Sequence, residues 1–458
     1  MIEVVQAFDR EHIIDLPTDD AAALEAKLTT ARARFLDRGG WLPPHRRIDV
    51  LRKLAELVGQ QREAFATLIA REGGKPYTDA LVETDRAIDG IRNAGELLRT
   101  RVGVEIPMGL TPASEGRRAW TIPEPIGVVA AISAFNHPLN LIVHQVAPAI
   151  ATGCPVIVKP ATATPLCCLE FVRLLHEAGM PEGWVQTFLP ENRDLASAFA
   201  TDARVAFLSF IGSAAVGWRL RANLAPGTRC ALEHGGVAPV IVDRGADLDT
   251  IIEPIVKGGY YHAGQVCVSV QRIYVHADIK AEFVERFGQR VAKLRVGNPL
   301  RPEVEVGPLI RPEEAARVGQ WIDEAIAAGA WLIGGGQLSE TTLEPAILVE
   351  PPRDSRVSTR EVFGPLTCLF GYEAIDEAIA AANALPVSFQ ASIFTRDLGV
   401  ALEAAERLDA SSVMINDHSA FRTDWMPFAG RRESGQGVGG IPYTAREMTA
   451  DKLVVFKL

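Results

Sequence analysis

The stretch IGVVAAISAFNHPLNLIVHQVAPAIATGCPVIVKP, residues 126–160, decides the fold of this chain. It begins with the apolar run GVVAAIS (127–133), continues with a helical pattern over 139–151 and ends with a second apolar run, PVIVK (155–159). A strand that is buried on both faces is apolar throughout, whereas a strand with one solvated face alternates apolar and polar residues. Two such runs joined by a helix predict a βαβ unit in a parallel sheet that is covered on both faces.

The same alternation continues towards the C-terminus and divides into two series. The first series adds the strands VQTF (185–188) and VAFLSF (205–210), with helices over 165–179, after Glu191 and from Ser213. The second series begins after Gly235 and Gly236 and has the strands PVIV (239–242), RIYV (272–275), WLIG (331–334) and AILV (346–349), with helices such as 281–294 and 312–328. The pattern predicts an α/β protein with two doubly wound halves.

Three segments lie outside these halves. Residues 19–101 carry apolar residues at helical spacing, which predicts an all-helical entry segment. Residues 102–125 are broken by proline and glycine before the strand-like RRAWTI (117–122), which predicts a protruding hairpin. The tail DKLVVFKL (451–458) has the pattern of a strand without a place in either sheet, so it pairs either with the hairpin or with another subunit.

The composition excludes several classes of protein. The 458 residues include 47 lysines and arginines against 57 aspartates and glutamates, and the net charge of −10 disfavours binding to nucleic acids and anionic membranes. The longest apolar stretch, 126–135, is about half of the ~20 residues that a membrane-spanning helix needs. The N-terminus has no secretory-signal pattern, and the six cysteines form no CxxC pair or Cys/His cluster. We therefore expect a cytoplasmic protein with reduced thiols, no metal site, and no nucleic-acid or membrane partner.

Cys267 stands out among the cysteines because a glycine-rich segment with Gly258, Gly259 and Gly264 leads to it. The alternative is a structural thiol, since free cysteines are among the most buried residues. A reactive thiolate also needs an oxyanion donor and often a base. The neighbouring sequence alone therefore leaves both interpretations open.

Polar residues near strand ends and turns supply candidate partners for this thiol. Glu233, in LEHGG, is a candidate base or an exposed turn residue, and Asn136 is a candidate donor or a helix N-cap. Lys159 closes the strand PVIVK, at the end where open α/β sheets bind ligands, or is simply solvated. Gly212 and Gly217 frame a strand-to-helix turn that suits an anion, although this spacing alone is weak evidence.

Taken together, these residues resemble the aldehyde dehydrogenase superfamily over nearly the whole chain. The resemblance depends on the 34 positions between Glu233 and Cys267 and on seven motifs: AFNHPLN (134–140), VIVKPATATP (156–165), FIGSAAVG (210–217), LEHGG (232–236), GQVCVS (264–269), EVFGP (361–365) and MPFAGRRESG (426–435). The stretches FNHPLNLIVHQVAPAIATG, GQVCVSVQRIYV and RTDWMPFAG are most similar to the branch with lactaldehyde, non-phosphorylating glyceraldehyde-3-phosphate and phosphonoacetaldehyde dehydrogenases.

The resemblance implies a division of the chain and a reaction. A cofactor-binding domain would comprise 1–102 and 126–235, a catalytic domain 236–448, and a small β oligomerisation element 103–125 and 449–458, in a homodimer or homotetramer. The reaction would oxidise a small aldehyde to the acid. Cys267 would attack the carbonyl, Asn136 and the Cys267 backbone N–H would hold the oxyanion, and Glu233 would activate the water that hydrolyses the thioester.

The same resemblance implies that NAD or NADP is the cofactor. The implied cofactor-binding residues are Phe135, Lys159, Thr162, Gly212, Ser213, Glu361 and Phe363. Thr162 stands where many NAD-preferring members have a glutamate, whose charge would repel a 2′-phosphate. The absence of that carboxylate leaves the choice between NAD and NADP open.

The substrate end of the site is expected to be polar. His137, Asn140 and His144 fall on one stripe of the helix that is predicted to start at Pro138, where members that act on apolar aldehydes have aromatic and aliphatic residues. Polar side chains at these positions favour a hydrophilic substrate.

The loop NDHSAFRTDWMPF (416–428) is expected to form the second wall, with His418 and Arg422. An arginine suits a carboxylate, phosphate, phosphonate or sulfonate, because its planar fork binds two oxygens at once. The alternative is that Arg422 pairs with Asp424 or Asp417 and that the histidines are core residues. We therefore expect a small polar aldehyde, which is anionic if Arg422 is free to bind it.

Two alternative functions follow from the same residues. In a CoA-acylating enzyme, thiolysis would replace hydrolysis, but the presence of Glu233 disfavours it because CoA needs no water-activating base. A non-catalytic cofactor-binding homologue is disfavoured by the complete set of candidate residues.

Overall fold

The structure, a computed structural model, describes residues 1–458 and confirms the α/β architecture expected from the sequence. The strands are β1 Ile2–Val5, β2 His12–Leu16, β3 Glu105–Ile106, β4 Arg117–Pro125, β5 Val128–Ile132, β6 Val156–Lys159, β7 Val185–Thr187, β8 Val205–Ile211, β9 Arg229–Glu233, β10 Pro239–Val242, β11 Arg272–His276, β12 Trp331–Gln337, β13 Leu343–Val349, β14 Leu366–Tyr372, β15 Val387–Ser388, β16 Gln390–Phe394, β17 Ser412–Ile415, β18 Arg431–Arg432, β19 Gly435–Gln436 and β20 Thr449–Lys457. The helices are α1 Ala21–Leu36, α2 Pro44–Gln60, α3 Arg62–Gly73, α4 Tyr77–Thr100, α5 Asn140–Thr152, α6 Leu166–Glu177, α7 Arg193–Thr201, α8 Ala214–Ala222, α9 Leu248–Tyr260, α10 Ala277–Val291, α11 Pro312–Ala327, α12 Arg356–Thr359, α13 Ile375–Asn383, α14 Leu398–Arg407 and α15 Ile441–Glu447.

The first large sheet has six strands in the order β19-β9-β8-β5-β6-β7, and only β19 is antiparallel to its neighbour. Its central strand β5 is buried at every position. Val129 and Ala131 pack against α2–α6, whereas Val128 and Ala130 point to the other face and pack against α1, α7 and α8. The continuous apolar run at 127–133 is therefore explained by burial on both faces.

The second large sheet has seven strands in the order β12-β13-β14-β11-β10-β16-β17. All its neighbouring pairs are parallel except β12 with β13, at one edge. One core cluster joins this sheet to α9–α11, α13 and α14. Strand β19 and helix α15, although they lie within residues 236–448, associate with the first sheet, and Ile441 of α15 belongs to the first core.

A separate three-stranded antiparallel sheet has the order β20-β4-β3. The C-terminal tail pairs with β4 over its whole length, with Val454 opposite Trp120, and thereby confirms the pairing with the hairpin. A small N-terminal hairpin of β1 and β2 precedes the helical segment. No helix combines the length and the apolar character that crossing a membrane requires.

Four neighbouring strands of the first sheet end at the same edge. They are β9, β8, β5 and β6, and they deliver Glu233, Gly212, the segment 133–137 and Lys159 respectively. The crevice beyond the carboxyl ends of parallel strands is where open α/β sheets bind ligands. Strand β9, which presents Glu233, was not predicted from the sequence because its first residues, Arg229 and Cys230, are not buried.

Candidate active site

A cleft of about 1700 Å³ lies between the two large sheets. Its walls contain all but two of the residues that the sequence singled out: Phe135, Asn136, His137, Asn140, Lys159, Thr162, Gly212, Ser213, Glu233, Cys267, Glu361, Phe363 and Arg422. The first sheet contributes its strand ends, and the second contributes the segments that precede β11 and β14. Residues that are far apart in the sequence thus share one site.

The segment before Cys267 makes a left-handed turn at three successive residues. The φ angles are 51° at His262, 54° at Ala263 and 70° at Gly264. A Cβ at Gly264 would lie 2.1 Å from the carbonyl oxygen of Gly364, so this position requires glycine. Gln265 anchors the turn, because its side-chain amide donates to the carbonyl of Pro308 at 3.1 Å and its oxygen accepts from the backbone of Ile310 at 2.9 Å.

Asn136 is buried beside this turn. Its Nδ2 donates to the carbonyl oxygen of Gln265 at 2.9 Å, which orients the amide and leaves its second N–H without a partner in the protein. Asn136 precedes helix α5 and does not cap it, since its side chain bonds the carbonyl of Gln265 and no backbone N–H of that helix. The side chain is therefore available as a donor to a group bound at Cys267.

Cys267 is half-buried, and three charged groups affect its thiol. Burial raises the pKa of Cys267, Glu361 and Glu233 raise it further, and Arg422 lowers it. Because a thiolate is the nucleophilic form, the reactivity of Cys267 depends on which of these charges is present.

The two carboxylates in the cleft are both held out of bulk water. Burial raises the pKa of Glu233, and the positive charge of Arg422 partly opposes this shift. Burial raises the pKa of Glu361 to about 8. A Cβ at Gly439 would come within 2.2 Å of a Glu233 carboxylate oxygen, and one at Gly235 within 1.7 Å of a Glu361 oxygen, so both carboxylates lie against glycine backbone.

The cleft residues next to the strand ends of the first sheet and before β14 fit a dinucleotide. Oε1 of Glu361 is buried without a hydrogen-bond partner, and Lys159 bonds only the carbonyl of Pro160. Ser213 forms no side-chain cap on α8, so the first N–H groups of that helix point at the cleft without a side-chain acceptor, as an anion site requires. The rings of Phe135 and Phe363 lie edge to face at 5.8 Å and offer an apolar surface to a planar ring.

A hydrogen-bond network around Asp424 lies beside the cleft, which two of its members, Arg86 and Asn140, line. Its carboxylate accepts two bonds from Arg86, at 2.7 and 3.1 Å, one from Asn140 at 3.0 Å and one from Nε2 of His144 at 2.7 Å. Burial would raise the pKa of Asp424, but the bonds from His144 and Arg86 outweigh burial and hold that pKa well below its usual range.

Arg422 forms no ion pair, so the alternative that it pairs with Asp424 or Asp417 is wrong. Its Nη2 donates to Nδ1 of His144 at 3.2 Å, its Nε is buried without a partner, and its guanidinium carbon lies 3.5 Å from the centre of the Phe428 ring. Burial and the charge of Arg86 lower the pKa of Arg422, and Glu233 opposes them. Arg422 is thus an unpaired cation in the wall of the cleft.

The two candidate residues outside the cleft wall are histidines. His144 is buried behind Arg422, and His418 packs against Gly258 with its Nδ1 accepting from the backbone of Ala420 at 3.1 Å. The structure therefore does not bring either of them to a bound substrate. His137 does line the cleft, but it precedes α5, which begins at Asn140 and not at Pro138.

Comparison with known proteins then decides the family. The model of the aldehyde dehydrogenase family matches residues 1–454. The chain belongs to the aldehyde dehydrogenase family. It is accordingly an oxidoreductase that acts on aldehydes with NAD or NADP.

Three similar aldehyde dehydrogenases illustrate the branch. A 3-sulfolactaldehyde dehydrogenase from Priestia aryabhattai is 38% identical over 91% of this chain and 87% of its own. A lactaldehyde dehydrogenase from Methanocaldococcus jannaschii is 33% identical over 99% of this chain and 97% of its own. The crystal structure of the glyceraldehyde-3-phosphate dehydrogenase GapN from the same organism, complexed with NADP, has a TM-score of 0.95 at 33% identity and covers 100% of this chain and 99% of its own. The predicted branch is confirmed.

Sequence reasoning missed two residues of this aldehyde dehydrogenase site. Arg86, on α4, lines the cleft and bonds Asp424, from which it is separated by 338 positions. Asp424 was considered only as a surface partner of Arg422, yet it is buried and bonds Arg86, Asn140 and His144. No local pattern marks Arg86, because its neighbours on α4 have ordinary helical spacing.

Proposed function

We propose that this aldehyde dehydrogenase oxidises a small polar aldehyde that carries an anionic group, and that it releases the free carboxylic acid. The observation that supports the proposal best is the unpaired Arg422 guanidinium in the same cleft as Cys267, Glu233 and Asn136. The nucleophile, the base, the oxyanion donor and an anion receptor are thus available to one bound molecule.

Cys267 is the proposed nucleophile. Its raised pKa keeps the resting thiol protonated at neutral pH, so a base must remove the proton as sulfur attacks the carbonyl carbon. Water that enters the cleft is the proposed base for this step, and the positive charge of Arg422 lowers the pKa of the thiol and so favours the transfer. The S–C bond forms, and the carbonyl oxygen becomes an oxyanion.

The free N–H of Asn136 and the backbone N–H of Cys267 are the proposed oxyanion donors. Because Nδ2 of Asn136 is already fixed by the carbonyl of Gln265, its second N–H needs no reorganisation as charge develops on the oxygen. Removing one such donor from an enzyme costs ~3–4 kcal/mol of transition-state stabilisation.

Lys159, Thr162, Gly212, Ser213 and Glu361 are the proposed contacts to the cofactor, with Phe135 and Phe363 beside its ring. When bound, the oxidised nicotinamide supplies the acceptor for the hydride that leaves the substrate carbon. Thr162 lines the cleft where a carboxylate would repel a 2′-phosphate, so we propose that both NAD and NADP are accepted. The NADP complex of the similar GapN enzyme supports this proposal.

Glu233 is the proposed base for release of the acid, because it lines the cleft and its raised pKa suits proton transfer near neutrality. The thioester on Cys267 is cleaved when Glu233 takes a proton from water, the hydroxide oxygen adds to the acyl carbon and the sulfur leaves as thiolate. A carboxylate in this position supports hydrolysis over transfer to CoA. Adding CoA to the assay and finding only free acid would agree with this proposal, whereas formation of acyl-CoA would contradict it.

Arg422 is the proposed receptor for the anionic group of the substrate. Arg86 pairs with Asp424, burial lowers the pKa of both nearby histidines, and Glu233 acts on Arg422 without forming an ion pair with it, so no salt bridge occupies the Arg422 guanidinium. A buried charge without a partner is costly, and a bound anion offsets that cost. Two of the similar proteins are named for aldehydes with a sulfonate or a phosphate group.

A matched pair of substrates tests this assignment. 3-Sulfolactaldehyde differs from lactaldehyde only by its sulfonate group, so the ratio of their kcat/KM values isolates recognition of the anion. We expect wild-type enzyme to prefer 3-sulfolactaldehyde and Arg422→Leu to lose up to ~3 kcal/mol of that preference. An equal effect of Arg422→Leu on both substrates would exclude Arg422 as the receptor.

The three-stranded sheet is the proposed surface for self-association into a homodimer or homotetramer. Trp120, Ile122 and Phe456 expose 39%, 42% and 55% of their surface on it, and exposed apolar sheet surfaces mark association sites. We also propose a cytoplasmic location, which the six free cysteines support.

A further inference from the structure

His144 connects two groups of opposite charge at the substrate end of the cleft. Its Nε2 lies 2.7 Å from Oδ1 of Asp424, and its Nδ1 lies 3.2 Å from Nη2 of Arg422. A guanidinium can only donate hydrogen bonds, so Nδ1 accepts and the proton of the neutral ring is on Nε2, from which it is donated to Asp424. The carboxylate, the imidazole and the guanidinium thus form a chain with one fixed tautomer.

The ring of His144 is held in the neutral state by its surroundings. The side chain is 3% exposed, and burial together with the charge of Arg422 lowers its pKa to about 4 despite the bond to Asp424. The charged groups that face it are Asp424 and Arg422 from the loop 416–428 and Arg86 from α4. A neutral ring is required here, because a second proton on Nδ1 would remove the acceptor for Arg422.

The same ring separates Arg422 from Asp424. The carboxylate of Asp424 is saturated by Arg86, Asn140 and His144, and it makes no ion pair with Arg422. Arg422 and Asp424 lie on the same loop, so without the imidazole between them they could form a direct ion pair. That pair would neutralise the cation that the substrate needs.

We propose that His144 and Asp424 are positioning residues for substrate selectivity. His144 holds the Arg422 guanidinium in the cleft wall by one hydrogen bond and keeps it from pairing with Asp424, so that its charge is available to the anionic group of the aldehyde. Asp424 fixes the tautomer and orientation of His144. This inference rests on the proposed anion recognition by Arg422 and adds the residues on which that recognition depends.

Substitutions at His144 separate its two hydrogen bonds. His144→Asn places an amide oxygen near the position of Nδ1 and retains an acceptor for Arg422, whereas His144→Gln places its amide near Nε2 and retains only the contact to Asp424. We expect His144→Gln to raise the KM for 3-sulfolactaldehyde about tenfold more than the KM for lactaldehyde, the effect of losing a hydrogen bond to a charged group. His144→Asn should recover most of that difference, with kcat little changed in both variants.

Direct binding supplies a second readout for variants that turn over poorly. Calorimetric titration with the product analogue 3-sulfolactate should show weaker binding to His144→Gln than to His144→Asn. Equal KM ratios and equal binding for the two variants would overturn the proposal.

Arg422→Leu distinguishes this failure from failure of the proposed function. If Arg422→Leu loses the preference for 3-sulfolactaldehyde while His144→Gln keeps it, the positioning role is wrong and the anion receptor stands. If Arg422→Leu keeps the preference, the receptor itself is wrong, and the role of His144 fails with it.

Discussion

At the scale of single residues, the charges around Cys267 influence the pKa of its thiol. Five other cysteines are free, and four of them are fully buried in apolar cores, where burial raises their pKa values. Cys267 differs because Glu361, Glu233 and Arg422 act on its thiol from within a cleft. A change of charge at any of these three positions should therefore change the fraction of Cys267 that is thiolate.

Alkylation of Cys267 measures this control. At pH 9, above the pKa of about 8 for Glu361, the carboxylate is charged and opposes ionisation of the thiol. Glu361→Gln should therefore lower the pKa of Cys267 and increase its rate of alkylation by iodoacetamide several-fold. Arg422→Leu should raise that pKa and slow the alkylation. Below the pKa, a shift of one unit changes the amount of thiolate about tenfold. Peptide mass spectrometry follows the rate, with the half-buried Cys230 as internal control. A slower or unchanged rate in Glu361→Gln would contradict this view.

The sequence indicated the proposed catalytic residues better than the residues that surround them. Cys267, Glu233 and Asn136 follow from family motifs, and the structure places all three in one cleft. Asp424, by contrast, meets its partners from far along the chain. It is 280 positions from His144 and 338 positions from Arg86. Contacts of that range leave no local pattern in a single sequence.

At the scale of elements, the start of helix α5 depends on a buried ion pair. Oε1 of Glu83 accepts from the backbone N–H groups of Leu139 and Asn140, at 3.0 and 3.1 Å, and its other oxygen bonds the Lys75 ammonium. Both side chains of the pair are 1% exposed. Glu83 thus caps the helix that carries Asn140 and His144 and that follows directly after Asn136.

Removal of the lysine should destabilise the protein strongly. Lys75→Met leaves the Glu83 carboxylate buried without its cation, and loss of one member of a buried pair costs about 3–5 kcal/mol. The matched control is Lys53→Met on α2, because Lys53 is half exposed and pairs with Glu56 at 3.7 Å, a surface pair worth at most ~1 kcal/mol. Urea unfolding should show a large fall in midpoint for Lys75→Met alone. Equal midpoints for the two variants would show that the pair does not support the helix.

Two buried apolar strands of the first sheet were predicted well, but the equally buried strands β14 and β16 of the second sheet and the shortest strands were not. The strands GVVAAIS and PVIVK correspond to β5 and β6, since a strand buried on both faces has a continuous apolar sequence. Strand β19 has two residues, one of them glycine, and gave no signal, although its pairing with β9 places Gly435 opposite Glu233. Its position is determined by the sheet that it joins and not by its own sequence.

At the scale of the whole molecule, two sheets form the cleft and a third, smaller sheet protrudes from them. The sequence predicted the two halves and the hairpin, but not that β19 and α15 return to the first sheet, because this return depends on the packing of the finished fold. The protruding sheet contributes nothing to the cleft walls. Its exposed apolar residues therefore need another explanation, and self-association supplies one.

Charge on this sheet should separate the subunits. Ile122→Glu combined with Phe456→Glu puts two carboxylates on exposed apolar positions of neighbouring strands, which would be buried in a subunit interface. We expect light scattering during size-exclusion chromatography to show a smaller assembly than for wild type. The control is Leu398→Glu, since Leu398 is 72% exposed at the start of α14, a helix that packs on β16 and β17 of the second large sheet. An unchanged mass for the double variant would place the interface elsewhere.

Oxidation is proposed to pass through a thioester on Cys267 that Glu233 helps to hydrolyse, and this thioester can be trapped. Glu233→Gln keeps the shape of the side chain and removes the base. When this variant is mixed with 3-sulfolactaldehyde and NADP, it should form about one equivalent of NADPH per subunit in a burst. After quenching in acid, the peptide that contains Cys267 should carry the acyl group. Cys267→Ala should show neither the burst nor the adduct. Release of free acid at the wild-type rate by Glu233→Gln, with no acyl group on Cys267, would contradict the account.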